Sequence, residues 1–169
     1  MEKLWSPWRS QYIDTFKDEP KESLPGSLFT RILNENDDRK NYLLYRGKNA
    51  FIIMNLYPYN SGHLMVVPYK EARSIDELDT DTRLEMFELL DLGIKALTDA
   101  IKPHGFNIGA NLGRVAGAGI EDHIHFHIVP RWNGDTNFMP VLNDVKVISE
   151  EMGRTYDKIK ASMEKLLNK

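Results

Sequence analysis

Apolar and polar residues alternate along this chain at two different periods, and the changes of period divide it into elements. Two short apolar runs, Tyr42 to Arg46 and Ala50 to Asn55, flank Gly47-Lys48-Asn49, which predicts a β-hairpin. A third strand, His63-Leu64-Met65-Val66-Val67-Pro68, follows the loop 56–62 and is closed by its proline. From Thr80 to Ile101 the period lengthens: Leu84, Phe87, Leu90, Ile94, Leu97 and Ile101 recur three or four apart, the spacing of an amphipathic helix. Asp79 or Asp81 can cap its start, and Pro103 and Gly105 mark its end. Gly93 in its interior is about 1 kcal/mol worse than alanine there, a cost that close packing would explain.

Two-residue alternation then returns. Phe106, Ile108 and Ala110 share one face of a strand running to Leu112, and Asn107, Gly109 and Asn111 share the other. After the glycine-rich Gly113-Arg114-Val115-Ala116-Gly117-Ala118-Gly119 comes the strictest pattern in the chain, His123-Ile124-His125-Phe126-His127-Ile128-Val129-Pro130. In an extended strand it puts three imidazoles on one surface and turns Ile124, Phe126 and Ile128 to a core. A loop through Pro140, a short strand near 141–148 and a final helix follow. Ser149 would cap that helix, with Glu150 and Glu151 in its first turn, and Met152, Tyr156, Ile159, Met163 and Leu166 would form its buried stripe. Near the start, Ser27 would cap a short helix with Leu28, Phe29, Ile32 and Leu33 as its stripe, ended by the polar run 34–38. Residues 1–27 read as an N-terminal arm whose Trp5, Trp8, Tyr12 and Phe16 need a surface to cover them, such as a second subunit. The order of elements predicts an α+β fold: an antiparallel sheet of about five strands, a long packed helix and a C-terminal helix, in one domain over 28–169.

Composition narrows the setting. The chain has 169 residues, 41% of them hydrophobic, enough for one buried core. The absence of cysteine excludes a disulfide framework and thiolate metal ligands and suits a reducing cytoplasm. The N-terminus has no signal-like apolar run, and nothing approaches the roughly 20 apolar residues of a membrane helix, so the expectation is a cytoplasmic protein with no membrane partner. A formal charge of −3 argues against binding long nucleic acids, which calls for a broad basic surface. An anionic substrate would be held by local groups.

Two chemistries suit the histidine row. Neutral imidazoles can bind a metal, with Glu121 and Asp122 as further ligands or their supports, but same-face residues on a strand stand roughly 6.5–7 Å apart, an awkward spacing for one ion. Alternatively, one imidazole can attack phosphorus and carry the group as a phosphoramidate. Its neighbours would then donate to phosphate oxygens, and the N–H groups of the glycine-rich loop would stabilise charge. His63, at the mouth of the third strand, can join either arrangement. If the row merely packed, three adjacent buried imidazoles would each need hydrogen-bond partners.

At these residues the chain resembles the histidine triad (HIT) family, whose signature His-φ-His-φ-His-φ-φ, with φ apolar, is matched in full by His123 to Val129. The resemblance reaches back through Asn55-Leu56-Tyr57-Pro58-Tyr59-Asn60-Ser61-Gly62-His63 to cover roughly residues 40 to 132. It implies that His125 is the nucleophile on a nucleotide α-phosphate, that His127 contacts phosphate or leaving group, and that His123 and His63 support and orient the nucleophile. It also implies that Asn55 binds the ribose and that Asn111 contacts substrate near the phosphates, where Gly117 and Gly119 offer backbone N–H groups. Trp132, beside Arg131, would serve phosphate or base binding, or pack at an interface.

Trp5-Ser6-Pro7-Trp8-Arg9, Asn111-Leu112-Gly113 and Pro130-Arg131-Trp132 look like the bacterial branch of the family that includes diadenosine tetraphosphate phosphorylases. Hydrolases of the family carry a glutamine four residues before the triad, and phosphorylases tend to have Gly-Ser there. This chain has Ala118-Gly119, which leaves the acceptor open between water and inorganic phosphate. The resemblance therefore implies a nucleotidyl hydrolase or transferase acting on dinucleoside polyphosphates through a covalent nucleotidyl-histidine, with phosphorolysis as one alternative. A zinc-dependent hydrolase and a nucleotide-binding module without turnover are others. It implies no cofactor for the chemistry, is compatible with a divalent cation bound with the substrate phosphates, and implies a homodimer or larger homo-oligomer with the sheet continued between subunits.

Overall fold

The hairpin forms where the pattern places it. In the computed structural model, which describes residues 26–135 and 151–168, β1 (Leu43–Arg46) pairs antiparallel with β2 (Ala50–Met54). Both carboxylate oxygens of Glu85 hold the turn between them, accepting the N–H groups of Lys48 at 2.6 Å and Asn49 at 2.7 Å. β3 (Leu64–Pro68), β4 (Gly105–Ala110) and β5 (Phe126–Arg131) complete a five-stranded sheet of order β1-β2-β3-β5-β4, antiparallel at every join. The α+β expectation stands. Every residue of β2 and β3 is buried because both faces of the sheet are covered.

One face lies under α2 (Thr80–Ile101) and α3 (Met152–Leu167). Of the two proposed caps for α2, Asp79 is the one used, its carboxylate accepting from Thr82 N–H at 2.8 Å. Gly93 does allow close packing: a Cβ there would lie 2.7 Å from Ile128 Cδ1. The predicted buried stripe needs correction in its first half. Met86, Leu89, Leu90, Gly93, Ala96 and Leu97 face the sheet, whereas Leu84 and Phe87 are exposed. Both stripes have helical spacing, and the small residues Gly93 and Ala96 let the backbone approach the sheet along their own line. α3 reaches the outer strand β1, where Tyr156 Oη donates to Leu43 O at 3.0 Å and Lys160 Nζ to Leu44 O at 2.7 Å.

On the opposite face, α1 (Leu28–Glu35) is the helix that packs among the described residues. Ser27 caps this helix as expected, accepting from Thr30 N–H, and Phe29 is buried among Leu43, Phe51, Ile53, Met65 and Val67. A second correction concerns α3, where Glu151 occupies the cap position without a side-chain cap bond. Ser149, Glu150, the predicted strand at 141–148 and residues 1–25 of the predicted arm lie outside the described residues.

Candidate active site

The strict alternation around the histidines sorts side chains between faces, but the backbone is not a strand throughout. Only His127 lies in β5; His123 and His125 precede it in irregular chain. Backbone groups of this stretch are diverted from the sheet ladder: Ile124 N–H donates to Ala72 O at 2.6 Å, and His123 O accepts from the His125 ring at 2.9 Å. The face assignment holds. Ile124 and Ile128 are buried under α2, while Met65, the residue opposite His127, belongs to the cluster on the α1 face. Gly109 also pairs with His127, so the polar face of β4 is the one that carries the histidines. Phe29 of α1 stands edge-on to the rings of both His123 and His125, with centroids 5.3 Å away in each case.

The hydrogen bonds assign a proton to each ring. His125 Nδ1 faces a carbonyl, which can only accept, so Nδ1 carries the hydrogen and Nε2 holds a lone pair. His123 Nε2 likewise donates to Pro68 O at 2.7 Å, which makes its Nδ1, 2.6 Å from Ser27 Oγ, an acceptor. His63 Nδ1 accepts Tyr59 N–H at 3.1 Å, with the Asn55 amide 3.4 Å away. Its Nε2–H therefore donates to His127 Nδ1 at 2.9 Å, and the hydrogen of His127 falls on Nε2. The row thus presents a lone pair on His125 beside a donor on His127, with ring centroids 4.8 Å apart. Burial pushes the pKa of both His123 and His125 below the ordinary histidine value, which favours their neutral forms.

The loop that delivers His63 is tied down at several points. Gly62, with φ of 76°, turns it into β3, and Tyr59 stacks on His63 with centroids 4.9 Å apart. Asn60 Nδ2 donates to Pro130 O at 3.1 Å and to Asp135 Oδ2 at 3.0 Å. Asp135 also receives Arg131 at 2.6 Å, and that guanidinium, first among several partners, lowers the carboxyl to a pKa of about 2. Apart from Arg131, this latch has no sequence signal, because its bonds join residues up to 75 positions apart. The sequence marks Ser27 as a cap, and its closeness to His123 has no local sequence signal.

The other expected site residues are distributed as follows. Asn55 stands beside His63, its Oδ1 accepting Tyr57 N–H at 2.9 Å. Asn111 follows β4 immediately, opposite His125 if the register is continued by one residue, and its amide closes the glycine-rich loop by donating to Gly117 O at 3.2 Å. Gly117 lies at the end of a single 3-10 turn, Arg114–Ala116, and Gly119 is exposed just before the row. Trp132 is half-buried past the far end of β5, and Arg131 is engaged by Asp135 and Asn107. Asp122 pairs with Arg73 at 2.6 Å and Glu121 is exposed; among the described residues no three His, Asp or Glu side chains are placed to share a metal ion.

This geometry can be set beside known proteins. Residues 36–134 match the HIT domain family. The AP-4-A phosphorylase of Mycobacterium tuberculosis is 38% identical over 153 residues, which span 89% of this chain and 78% of that protein. A hypothetical histidine triad nucleotide-binding protein from Sulfolobus tokodaii is 30% identical, with a TM-score of 0.66 over 82% of this chain and 92% of that one. A Zn-bound histidine triad family protein from Mycobacterium smegmatis, at 22% identity, shares the fold with a TM-score of 0.69 over 85% of this chain and 96% of that one.

Proposed function

Because the chain belongs to the HIT family, we propose that it cleaves diadenosine tetraphosphate, or a closely related dinucleoside polyphosphate, by phosphorolysis through a nucleotidyl-histidine. The observation that carries this reading is the His125 ring, whose Nδ1–H is held by the His123 carbonyl so that Nε2 offers its lone pair. In the first half-reaction Nε2 attacks the α-phosphorus, the P–N bond forms, and the bond to the bridging oxygen breaks to release ATP. His127 Nε2–H, oriented through His63, stabilises the charge that develops on that oxygen. In the second, an oxygen of inorganic phosphate attacks the same phosphorus, the P–N bond breaks, and ADP leaves with His125 returned to its starting state. The sum is diadenosine tetraphosphate plus phosphate giving ATP plus ADP. Asn55 is assigned to the ribose, and Asn111, Gly117, Gly119 and Trp132 to the remaining substrate contacts.

Phosphate rather than water is favoured as acceptor by the similarity to the mycobacterial phosphorylase over most of both chains. No cofactor enters the chemistry; a divalent cation bound with the substrate phosphates is compatible with it. The active form is assigned as a homodimer. Ile108 of β4, an outer strand of the described sheet, is exposed, as are Leu112 and Val115 just after it and Phe87 of α2, which meets Phe126 of the neighbouring β5, and a second copy would cover them.

The test is to incubate the protein with diadenosine tetraphosphate with and without phosphate and identify the products. ATP and ADP should form only with phosphate, and His125→Ala should lose about 10⁴-fold or more of the turnover while remaining folded. AMP formed without phosphate would replace phosphorolysis by hydrolysis. Nucleotide binding with no product in either condition would leave a binding module, and loss of activity in chelator that zinc alone restores would favour a zinc hydrolase.

A further inference from the structure

Ser27 reaches the histidine row from another element. As the cap of α1, its Oγ accepts Thr30 N–H at 3.2 Å, and the same oxygen lies 2.6 Å from His123 Nδ1. The hydrogen on Nε2 of His123 is already given to Pro68 O, so the hydrogen in the Ser27–His123 contact is that of the serine hydroxyl. Thr30 Oγ1, the other neighbour of the Ser27 hydroxyl, is farther away at 3.2 Å. Thr30 Oγ1 donates to Glu71 Oε1 at 2.5 Å, and Ser27 N–H donates to the same oxygen at 2.8 Å. These bonds hold Glu71 as a carboxylate, the threonine hydroxyl contributing most. Phe29, two residues on, meets the rings of His123 and His125. One directed hydrogen bond and one shared aromatic contact thus fix α1 to the row.

We infer that Ser27 is a positioning residue for the proposed nucleophile: its hydroxyl holds His123 in the Nε2–H form, and the carbonyl of that residue orients His125. The inference rests on the nucleotidyl transfer proposed above. His123 is fully buried, and without the serine hydroxyl its Nδ1 loses the donor that the structure gives it. Changing tautomer or turning to find another protein partner gives up Pro68 O. The same residue supplies the carbonyl that aims His125, so the error passes to the nucleophile. Ser27 touches His123 and not the nucleophile itself, which places the effect on the chemical step rather than on substrate affinity.

Three substitutions separate this role from capping. Ser27→Thr keeps both the cap and the hydroxyl; Ser27→Asp keeps the cap but has no hydrogen to give; Ser27→Ala keeps neither. With diadenosine tetraphosphate and phosphate, the alanine and aspartate variants should lose roughly 10- to 100-fold in kcat, with KM nearly unchanged, and the threonine variant should retain it. Ring ¹⁵N NMR should show a protonated Nε2 and a bare Nδ1 on His123 in the parent and in Ser27→Thr, and a changed pattern in Ser27→Ala and Ser27→Asp. Parent-like turnover by Ser27→Asp would reduce Ser27 to a helix cap and overturn the inference, as would an unchanged His123 pattern in Ser27→Ala. The NMR arm does not depend on turnover, so an inactive parent protein would refute the proposed function while the His123 result still decides the role of Ser27.

Discussion

His125 is prepared for attack as much by burial as by its neighbours. An imidazolium has no lone pair to offer, and transfer out of water disfavours the imidazolium; desolvation is the largest influence on this ring and lowers its pKa below 6.5. Nearby His123 adds a smaller push in the same direction, against the opposing pull of its own backbone carbonyl. The sign follows directly: a lowered pKa keeps the nucleophile unprotonated to lower pH. The acid limb of kcat/KM against pH, which reports ionisations of the free enzyme, should therefore fall with an apparent pKa below 6.5. A limb centred above 6.5 would show that another group governs the acid side.

At the scale of elements, what the sequence made legible was what depends on near neighbours in the chain. The strand cores, Asp79 and Ser27 as caps, and the sorting of Ile124 and Ile128 from the histidines follow from short-range pattern. What it hid depends on distant contacts. The chain through His123 and His125 left the strand where Ala72 O took up the N–H of Ile124 and the His125 ring took up the carbonyl of His123, and alternation carries no record of those partners. The buried face of α2 was misread at Leu84 and Phe87 because two apolar stripes share the helical period, and only the sheet beneath Gly93 chooses between them. That choice is testable. Gly93→Val would drive its side chain into Ile128 and should destabilise the protein by about 1–3 kcal/mol in urea titration. Wild-type stability would mean that α2 stands off the sheet.

At the scale of the whole molecule, the sheet has two unlike faces and two unlike sides. Among the described residues, long helices close one face, while the short α1 and the histidine row occupy the other. Near β4, Phe87 and Ile108 remain 62% and 49% exposed, and the proposed homodimer would cover them. Replacing Ile108 with Glu should shift the sedimentation velocity of the protein from dimer to monomer, whereas a dimer that persists would move the interface elsewhere. On the opposite side of the described sheet, Tyr156 and Lys160 of α3 occupy the carbonyls of Leu43 and Leu44 in β1. With those carbonyls taken, β4 is the end of the described sheet better placed to grow. A two-fold join at β4 would use that end in both copies at once, so association would terminate in a closed pair instead of propagating into a fibre.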